Sequence, residues 1–383
     1  MKIPFKNSFL SWMMKKRIHQ IELFLKYPFA VQDELLLNLI GRAKNTEFGK
    51  THGFNSIKSY EEFKNSVEVK TYEEFYPYIK KLREGGENIL WPGKIKWFAK
   101  SSGTTNAKSK YIPITEEALE ECHFKAGKDM LSIYCNNNLE TTFFDGIGLI
   151  LGGSQSQNPL KKYTDGDLSA ILIDNLPFWV NMHRTPDLTT ALIPKWEEKL
   201  KKIVEQAVNE DVSSLTGVPS WMLILLNKIL EKTGAKNIME VWPNLELYMH
   251  GGMSFSPYKS QFQKIIPNPK MNYMECYTAS EGYFAIQDQS HSDEMLLMLD
   301  NGIFYEFIAM EDFKHGNRKT IRLDQVKLNT TYALVITTNT GLWRYLIGDT
   351  ICFTNLSPFR IKIIGRTKSF INAFGEELVV ENA

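Results

Sequence analysis

A loop rich in hydroxyl groups and lysines is the first place in the sequence where side chains could do chemistry. Residues 101–105 read Ser-Ser-Gly-Thr-Thr, and Lys108 and Lys110 follow. Such a loop suits a polyphosphate, because backbone N–H groups beside a glycine approach closely while hydroxyls and ammonium groups donate hydrogen bonds. It is not a Walker A loop, which has glycine directly before the lysine, where this chain has Ala107. A polar surface loop is the alternative.

A hydroxyl beside a carboxylate marks a second candidate site. Residues 277–282 read Tyr-Thr-Ala-Ser-Glu-Gly and directly follow a strand-like run. At the carboxyl end of a strand, Ser280 could contact a phosphate and Glu281 could hold the Mg²⁺ that accompanies it. The motif is not a nucleophile elbow, because Thr278 stands where that motif has glycine. A strand-ending turn with solvated side chains is the alternative.

Two weaker signals lie further along the chain. Asp349 follows Gly348 at a predicted strand end, where its carboxylate could accept hydrogen bonds from the two hydroxyls of a ribose. Residues 365–368 read Gly-Arg-Thr-Lys and predict a sharp polar turn between two apolar strands. Each pattern is common by itself, and the alternative for the second is a plain hairpin turn.

Composition and spacing argue against several other classes of protein. Forty-five Lys plus Arg against 44 Asp plus Glu leave a net charge of +1, without the basic excess of a nucleic-acid-binding protein. The seven histidines lack metal-ligand spacing, and the four cysteines form no C-x-x-C pair. No window approaches the roughly 18 apolar residues of a membrane span. Scattered cysteines are typical of reduced thiols, so we expect a cytoplasmic protein.

The elements that must position these groups change in character near Trp97. Residues 1–95 predict helices, from apolar residues at helical spacing and from capping boxes that begin at Ser59 and Thr71. Beyond them, strand-like runs alternate with helices, such as those predicted over 195–208 and 220–232. The strand-like runs are 146–151, 245–249, 271–276, 303–308, 332–337 and 359–364. This pattern predicts an α/β fold of mixed β-sheets with packed helices.

Taken together and in this order, the four signals resemble the adenylate-forming superfamily, which includes acyl-CoA ligases, peptide-synthetase adenylation domains and luciferases. The flanking sequence is similar to the bacterial branch of the Gretchen-Hagen auxin-responsive family of acyl-acid amido synthetases. The segments that carry this resemblance are AKNTEFGKTHGF (43–54), FAKSSGTTNAKSKYIPIT (98–115), LTGVPSW (215–221) and INAFGEELVVENA (371–383). They extend over nearly the whole chain.

The resemblance implies a two-step ligase reaction with ATP and Mg²⁺. ATP and a carboxylic acid form an acyl-adenylate and pyrophosphate, and an amine, such as that of an amino acid, then displaces AMP to give an amide. Lys108, Ser280 and Glu281 would be catalytic, with Glu281 the ligand of Mg²⁺. Tyr277 would lie against the adenine and Asp349 would bind the ribose. The residues implied for ATP are Ser101, Ser102, Gly103, Thr104, Thr105, Gly251, Gly252, Tyr277, Asp349 and Arg366.

The resemblance also implies how the chain is divided. Residues 1–365 would form the large adenylate-forming N-terminal domain, with a helical part over 1–95, and residues 366–383 would be the hinge and stub of a truncated C-terminal domain. Because that domain completes the site for each half-reaction, we expect this chain to bind ATP but to turn over poorly. Val218 and Trp221 would wall the acid pocket, with core packing as the alternative for such apolar residues.

Two other functions remain open at this point. An acyl-CoA ligase would share the adenylation step and differ in its acceptor. A non-catalytic ATP-binding sensor or partner subunit would use the same nucleotide residues without turnover. The sequence predicts neither the acid, nor the acceptor, nor the oligomeric state.

Overall fold

The computed structural model describes residues 6–101, 109–156, 163–290 and 292–367. Its α-helices are α1 (Lys6–Lys15), α2 (Ile18–Lys26), α3 (Pro28–Ala43), α4 (Glu47–Thr51), α5 (Tyr60–Ser66), α6 (Tyr72–Arg83), α7 (Lys125–Asn137), α8 (Leu168–Asp174), α9 (Phe178–Asn181), α10 (Leu188–Ala191), α11 (Trp196–Ala207), α12 (Pro219–Thr233), α13 (Lys259–Ile265) and α14 (Met310–Lys314). None of the helices in these ranges is long and apolar enough to cross a membrane.

The strands of the described residues are β1 (Trp97–Ser101), β2 (Lys110–Ile114), β3 (Ile147–Ile150), β4 (Gln155–Ser156), β5 (Thr164–Gly166), β6 (Arg184–Thr185), β7 (Val212–Thr216), β8 (Leu247–Gly251), β9 (Asn272–Ala279), β10 (Gly282–Ile286), β11 (Met295–Leu297), β12 (Ile303–Ala309), β13 (Thr331–Thr338), β14 (Tyr345–Leu356) and β15 (Phe359–Arg366). The chain divides into two compact units. The first unit lies within residues 1–21, 97–112 and 123–292, and the second within 22–96, 113–122 and 293–383.

Parallel strands organise the first unit. Strands β6, β3, β7, β8 and β9 lie side by side in that order and are parallel, and β10 is antiparallel to β9. A core formed by Leu149 of β3, Leu215 of β7, Ile203 of α11 and Leu226 of α12 packs the helices onto these strands. Because the carboxyl ends of parallel strands meet at one edge, the loops after β3, β7, β8 and β9 converge there.

An antiparallel ladder organises the second unit. Its strand order is β12-β13-β14-β15-β11, and β14 pairs with β15 from Asp349 opposite Arg366 to Leu356 opposite Phe359. In the core of this unit, Trp343 is fully buried and packs edge-on against Phe54, with ring centroids 4.7 Å apart. This ladder fixes the strand that carries Asp349.

Local sequence signals begin and end several helices where the sequence predicts. Pro219 lies in the first turn of α12, and Gly234 ends that helix in the left-handed conformation, with φ +71°. At α5, the Ser59 hydroxyl accepts a hydrogen bond from the Glu62 N–H (3.3 Å), and at α6 the Thr71 N–H donates to the Glu74 carboxylate (2.7 Å). These contacts satisfy N–H groups that a helix start leaves unpaired.

The structure corrects two expectations about where strands end. Asp349 lies within β14, which continues to Leu356, so the prediction of a strand end at Asp349 is wrong. A register shift directly after it, between Thr350 and Ile351, bends the strand without ending it. Gly365 and Arg366 are the last residues of β15 and do not form a turn, and Lys368 lies outside the described residues.

Candidate nucleotide and acid site

Glycines follow the parallel strands at the edge where their carboxyl ends meet. These are Gly152 and Gly153 after β3, Gly217 after β7, and Gly251 and Gly252 at the end of β8. Backbone hydrogen bonds join the strand ends directly, from the Leu151 N–H to the Thr216 carbonyl (2.8 Å) and from the Gly217 N–H to the Met249 carbonyl (3.2 Å). These hydrogen bonds fix the strand ends relative to one another at the edge where the loops converge.

Gly251 and Gly252 are each held to glycine, the first by lack of space and the second by its backbone conformation. A Cβ at position 251 would lie 2.5 Å from the Cys276 carbonyl oxygen, and Gly252 has φ +81° with its Cβ position 3.5 Å from Val218. Because β8 pairs Gly251 with Cys276, the two glycines lie beside the residue that precedes Tyr277. The structure thus brings three predicted binding positions, Gly251, Gly252 and Val218, next to one another.

Tyr277, Ser280 and Glu281 lie on one hairpin. Tyr277 is near the end of β9, buried, with its ring centroid 4.7 Å from that of Phe284. Ser280 and Glu281 form the two-residue turn that joins β9 to β10, since Ala279 pairs directly with Gly282. The Glu281 side chain is buried, so its carboxylate is held in place rather than moving freely in solvent. A single fixed carboxylate suits Mg²⁺, which takes its other oxygen ligands from phosphates and water.

Two titratable side chains beside this hairpin, those of His250 and Cys276, are neutral near pH 7. Burial lowers the pKa of His250 to about 3, and its ring stacks on Phe255 with centroids 4.1 Å apart. Burial raises the pKa of the Cys276 thiol to about 11, and this thiol donates to the His250 carbonyl (3.2 Å). Neither group is a ready base or nucleophile at neutral pH. The surroundings therefore favour binding and positioning over covalent catalysis by the protein.

Asp349 and Arg366 meet in the second unit. They are opposite each other on β14 and β15, and the Arg366 Nε lies 3.2 Å from the Asp349 Oδ1. The Asp349 side chain is only 10% exposed, whereas that of Arg366 is 53% exposed. A carboxylate in this position accepts hydrogen bonds from hydroxyl groups, and a half-exposed guanidinium beside it offers donors to a ribose or phosphate oxygen.

Val218 and Trp221 flank the carboxyl end of β7. Val218 directly precedes α12, and Trp221 is 46% exposed in its first turn. The Trp221 ring packs edge-on against Trp196 of α11, with centroids 4.5 Å apart. Part of this aromatic surface remains open, which suits the apolar body of a small acid.

Of the hydroxyl-rich loop that begins at Ser101, only this first residue and the residues from 109 onward are among the described residues. Ser101 is the last residue of β1 in the first unit. Ser102, Gly103, Thr104, Thr105 and Lys108 lie outside the described residues. Among the residues that the structure does describe, no group of three His, Cys, Asp or Glu side chains could hold a metal ion. A magnesium site here would therefore depend on the phosphates of the nucleotide.

Sequence reasoning missed two buried cations near these elements. Lys199 on α11 is 3% exposed, and its Nζ donates to the carbonyl oxygens of Gly152 (2.8 Å) and Gly153 (2.6 Å). Arg344, directly before β14, has its guanidinium bonded to the Glu306 carboxylate (2.8 and 2.9 Å). Lys199 follows two glutamates in a charged helix, so no local signal marks it. Arg344 lies in the segment that carries Asp349, which is the signal that could have found it.

Family models match most of the chain. The GH3 family N-terminal domain matches residues 17–271, and the GH3 family central domain matches residues 296–366. The first match contains Gly251 and Gly252, and the second contains Asp349 and Arg366. They confirm the family resemblance that the sequence motifs carry.

Similar proteins of known activity come from plants. Indole-3-acetic acid-amido synthetase GH3.4 of Arabidopsis thaliana is 23% identical over 402 residues, which cover 88% of this chain and 67% of the relative. Jasmonoyl-L-amino acid synthetase JAR6 of Nicotiana attenuata is 23% identical over 399 residues, with 88% of this chain and 68% of the relative covered. Both relatives are named as synthetases that join an acid to an amine.

Solved structures share the fold. The GH3.15 acyl acid amido synthetase superposes with a TM-score of 0.74 at 14% identity, over 92% of this chain and 71% of that one. A 2-hydroxyisobutyryl-CoA ligase superposes with a TM-score of 0.56 at 13% identity, over 87% of this chain and 73% of that one. The mixed α/β fold is therefore that of adenylate-forming enzymes, as the sequence predicts. With family models matched over both of its units, the chain belongs to the GH3 family.

Proposed function

We propose that the chain is an ATP-dependent acyl-acid amido synthetase that acts through an acyl-adenylate. In the first step a carboxylate oxygen of the acid attacks the α-phosphorus of ATP and pyrophosphate leaves. In the second step an amine nitrogen attacks the acyl carbon, AMP leaves, and the nitrogen loses a proton. The observation that carries the proposal is the GH3-family match over 17–271 and 296–366, which contains Gly251, Gly252, Asp349 and Arg366.

The residues of the candidate site would work by positioning. Asp349 would accept hydrogen bonds from the ribose hydroxyls, with Arg366 beside it on the ribose or a phosphate. Gly251 and Gly252 would lie near the adenine beside Tyr277, with the open space at Gly252, while Ser280 would contact the α-phosphate. An in-line attack on phosphorus needs alignment and charge neutralisation more than a protein nucleophile. The neutral His250 and Cys276 agree with this requirement.

Glu281 would hold Mg²⁺ together with the phosphates of ATP. The bound cation would neutralise charge that develops on the phosphate oxygens. The Glu281→Gln variant keeps the shape of the side chain and loses its charge. In EDTA, we expect this variant and the wild type to bind ATP with the same affinity. Adding Mg²⁺ should raise the affinity of the wild type for ATP but not that of the variant. Calorimetric titration of ATP with and without Mg²⁺ measures both, and equal Mg²⁺ enhancement in the two proteins would remove Glu281 from the metal site.

The acid would have an apolar body, and the acceptor would be an amino acid. The exposed part of Trp221, three residues after Val218, supports the first statement. The relative named as a jasmonoyl-L-amino acid synthetase supports the second. Lys108 of the hydroxyl-rich loop would contact the β- and γ-phosphates.

We also assign the protein to the cytoplasm. All four cysteines, Cys122, Cys135, Cys276 and Cys352, are free thiols. Free thiols persist in reducing compartments, where disulfides are rare.

Carboxylate-dependent exchange between ATP and pyrophosphate tests the proposal. The protein of the whole gene is assayed with a panel of aryl and alkyl acids, and each active acid is then offered an amino acid panel or coenzyme A. Exchange followed by amide formation supports an amido synthetase. Exchange followed by thioester alone makes the protein an acyl-CoA ligase, and ATP binding without exchange on any acid makes it a sensor.

A further inference from the structure

The buried ammonium of Lys199 holds a turn at the carboxyl end of β3. Its Nζ donates to two consecutive carbonyl oxygens, those of Gly152 (2.8 Å) and Gly153 (2.6 Å). Burial lowers the pKa of Lys199 to about 8, while the nearby Asp167 carboxylate opposes that shift. Burying a long cationic side chain costs free energy. The hydrogen bonds to the two carbonyl oxygens offset part of this cost, and they also satisfy carbonyl groups that would otherwise lack a donor.

The turn that Lys199 holds is fixed from the other side as well. The Gly153 N–H donates to the Ser169 hydroxyl (2.8 Å), and the Ser154 N–H donates to the Asp167 carboxylate (2.8 Å). A Cβ at position 152 would lie 2.4 Å from Ile173, and one at 153 would lie 2.1 Å from Asp167. The turn therefore packs against α8 and is hydrogen-bonded to Lys199 of α11. These contacts restrict its movement.

The same face of α11 also contacts the predicted acid pocket. Trp196 and Lys199 are three residues apart on this helix, so their side chains lie on one face. The Trp196 ring packs against Trp221, which follows β7, the strand next to β3. One helix face thus contacts both the turn after β3 and the first turn of α12, at the edge where the parallel strands end.

We propose that Lys199 is a positioning residue for the choice of acid. By holding the Gly152–Gly153 turn at a fixed place relative to α11, it fixes the distance between that turn and the Trp196–Trp221 pair, and so the width available to the acid. This inference rests on the proposed function. Lys199 itself touches no substrate and acts through the turn.

The test compares acids of increasing size in the exchange assay, using the protein of the whole gene. Lys199→Met removes the ammonium at similar length, Lys199→Arg keeps a cationic donor, and Lys201→Met, on the exposed face of α11, is the matched control. We expect Lys199→Met to change the ratio of kcat/KM between the largest and smallest accepted acids by about tenfold or more. The KM for ATP should stay within about twofold of wild type, Lys199→Arg should restore part of the selectivity, and Lys201→Met should behave as wild type.

Each outcome bears on one proposal. A uniform fall in kcat/KM for every acid, or a change confined to the KM for ATP, overturns the role of Lys199 and leaves the proposed function standing. No exchange by the wild type with any acid overturns the proposed function. If Lys199→Met fails to fold by thermal unfolding, Trp196→Leu, which removes the ring contact with Trp221, must shift the same size preference. Unchanged selectivity in that variant also overturns the inference.

Discussion

Asp349 shows how the chemistry of one residue depends on its surroundings. Its carboxylate is nearly buried within β14, and Arg366 is directly opposite on β15. If this carboxylate is removed, the ribose hydroxyls that it would bind lose their hydrogen-bond acceptor. Leaving such buried polar groups unsatisfied costs about 1–3 kcal/mol. Asp349 is therefore the residue in the second unit whose removal tests nucleotide binding most directly.

Replacing Asp349 with Ala should weaken ATP binding by about 1–3 kcal/mol, which is roughly 5- to 150-fold in Kd. Isothermal titration calorimetry measures the change, and 2′,3′-dideoxy-ATP should bind wild type and variant alike because it lacks the ribose hydroxyls. The control is Asp293→Ala, since the Asp293 side chain is 80% exposed and pairs with Lys362 in the same unit. Wild-type affinity for ATP in Asp349→Ala would contradict the ribose assignment.

Two buried histidines should make the protein sensitive to acid. Burial lowers the pKa of His123 to about 4 and that of His250 to about 3. Below pH 6.5 the unfolded chain therefore binds more protons than the folded one, so the free energy of unfolding falls as the pH falls toward those values. At pH 5 each histidine should cost about 2 kcal/mol relative to pH 7.5.

His123→Leu should remove one of these two contributions. In urea unfolding, the loss of stability between pH 7.5 and pH 5 should be about 2 kcal/mol smaller in this variant than in the wild type. His315→Gln is the matched control, because His315 is exposed. An acid loss in His123→Leu equal to that of the wild type would show that His123 is not buried as a neutral imidazole.

At the scale of elements, the sequence predicts what is determined locally. The helix over 195–208 is observed at Trp196–Ala207, and the one over 220–232 at Pro219–Thr233, because proline and glycine mark where the latter begins and ends. The strand end at Asp349 was predicted wrongly because β14 continues past a bulge, and a bulge depends on the neighbouring strand. Lys199 was missed for the same reason, since its carbonyl partners lie 46 and 47 residues away in the sequence.

The buried pair of Arg344 and Glu306 joins β12 to the start of β14. The Arg344 guanidinium also donates to the Thr320 hydroxyl (2.6 Å) and to the Val67 carbonyl (2.6 Å), and the Tyr60 hydroxyl donates to Glu306 (2.9 Å). Arg344 has φ +48°, a conformation that a residue other than glycine adopts only when its surroundings hold it there. The pair therefore fixes the beginning of the strand that carries Asp349.

Glu306→Gln should destabilise the protein by about 3–5 kcal/mol, because it leaves the Arg344 charge buried without its counter-ion. Urea unfolding measures the loss. The exposed pair of Lys362 and Asp293 provides the comparison, and Asp293→Asn should cost less than about 1 kcal/mol. Similar small losses in both variants would mean that water reaches the Arg344 guanidinium.

For the whole molecule, the family and the fold could be predicted from the sequence, whereas the contacts between the residues of the candidate site could be predicted only in part. The GH3 resemblance, the mixed α/β fold and the amido synthetase class of ligase are confirmed by the family models and relatives. The motifs identify the family and the fold because each motif is a short run of residues that can be recognised in the sequence without knowing any contact in space. Contacts such as Gly251 beside Cys276 and Asp349 beside Arg366 depend on strand register, which a single sequence does not determine.

Binding of ATP should stabilise the whole molecule. A ligand that binds only the folded state raises the free energy of unfolding by about 2.7 kcal/mol when its concentration is about 100 times its Kd. Thermal unfolding at increasing ATP concentration should show a rising midpoint, and Asp349→Ala should need more ATP for the same rise. An unchanged midpoint at every ATP concentration would contradict nucleotide binding.

The crowded glycines have a consequence for how this enzyme can diversify. Positions 153 and 251 have no room for even a methyl group, since a Cβ would lie 2.1 Å from Asp167 at the first and 2.5 Å from the Cys276 carbonyl oxygen at the second. Substitutions at the strand-end edge are therefore tolerated best at its more open positions, among them Val218, Trp221 and Met253. A mutant library aimed at new acids would keep Gly153 and Gly251 and randomise these exposed or half-exposed neighbours, so most of its members would still fold.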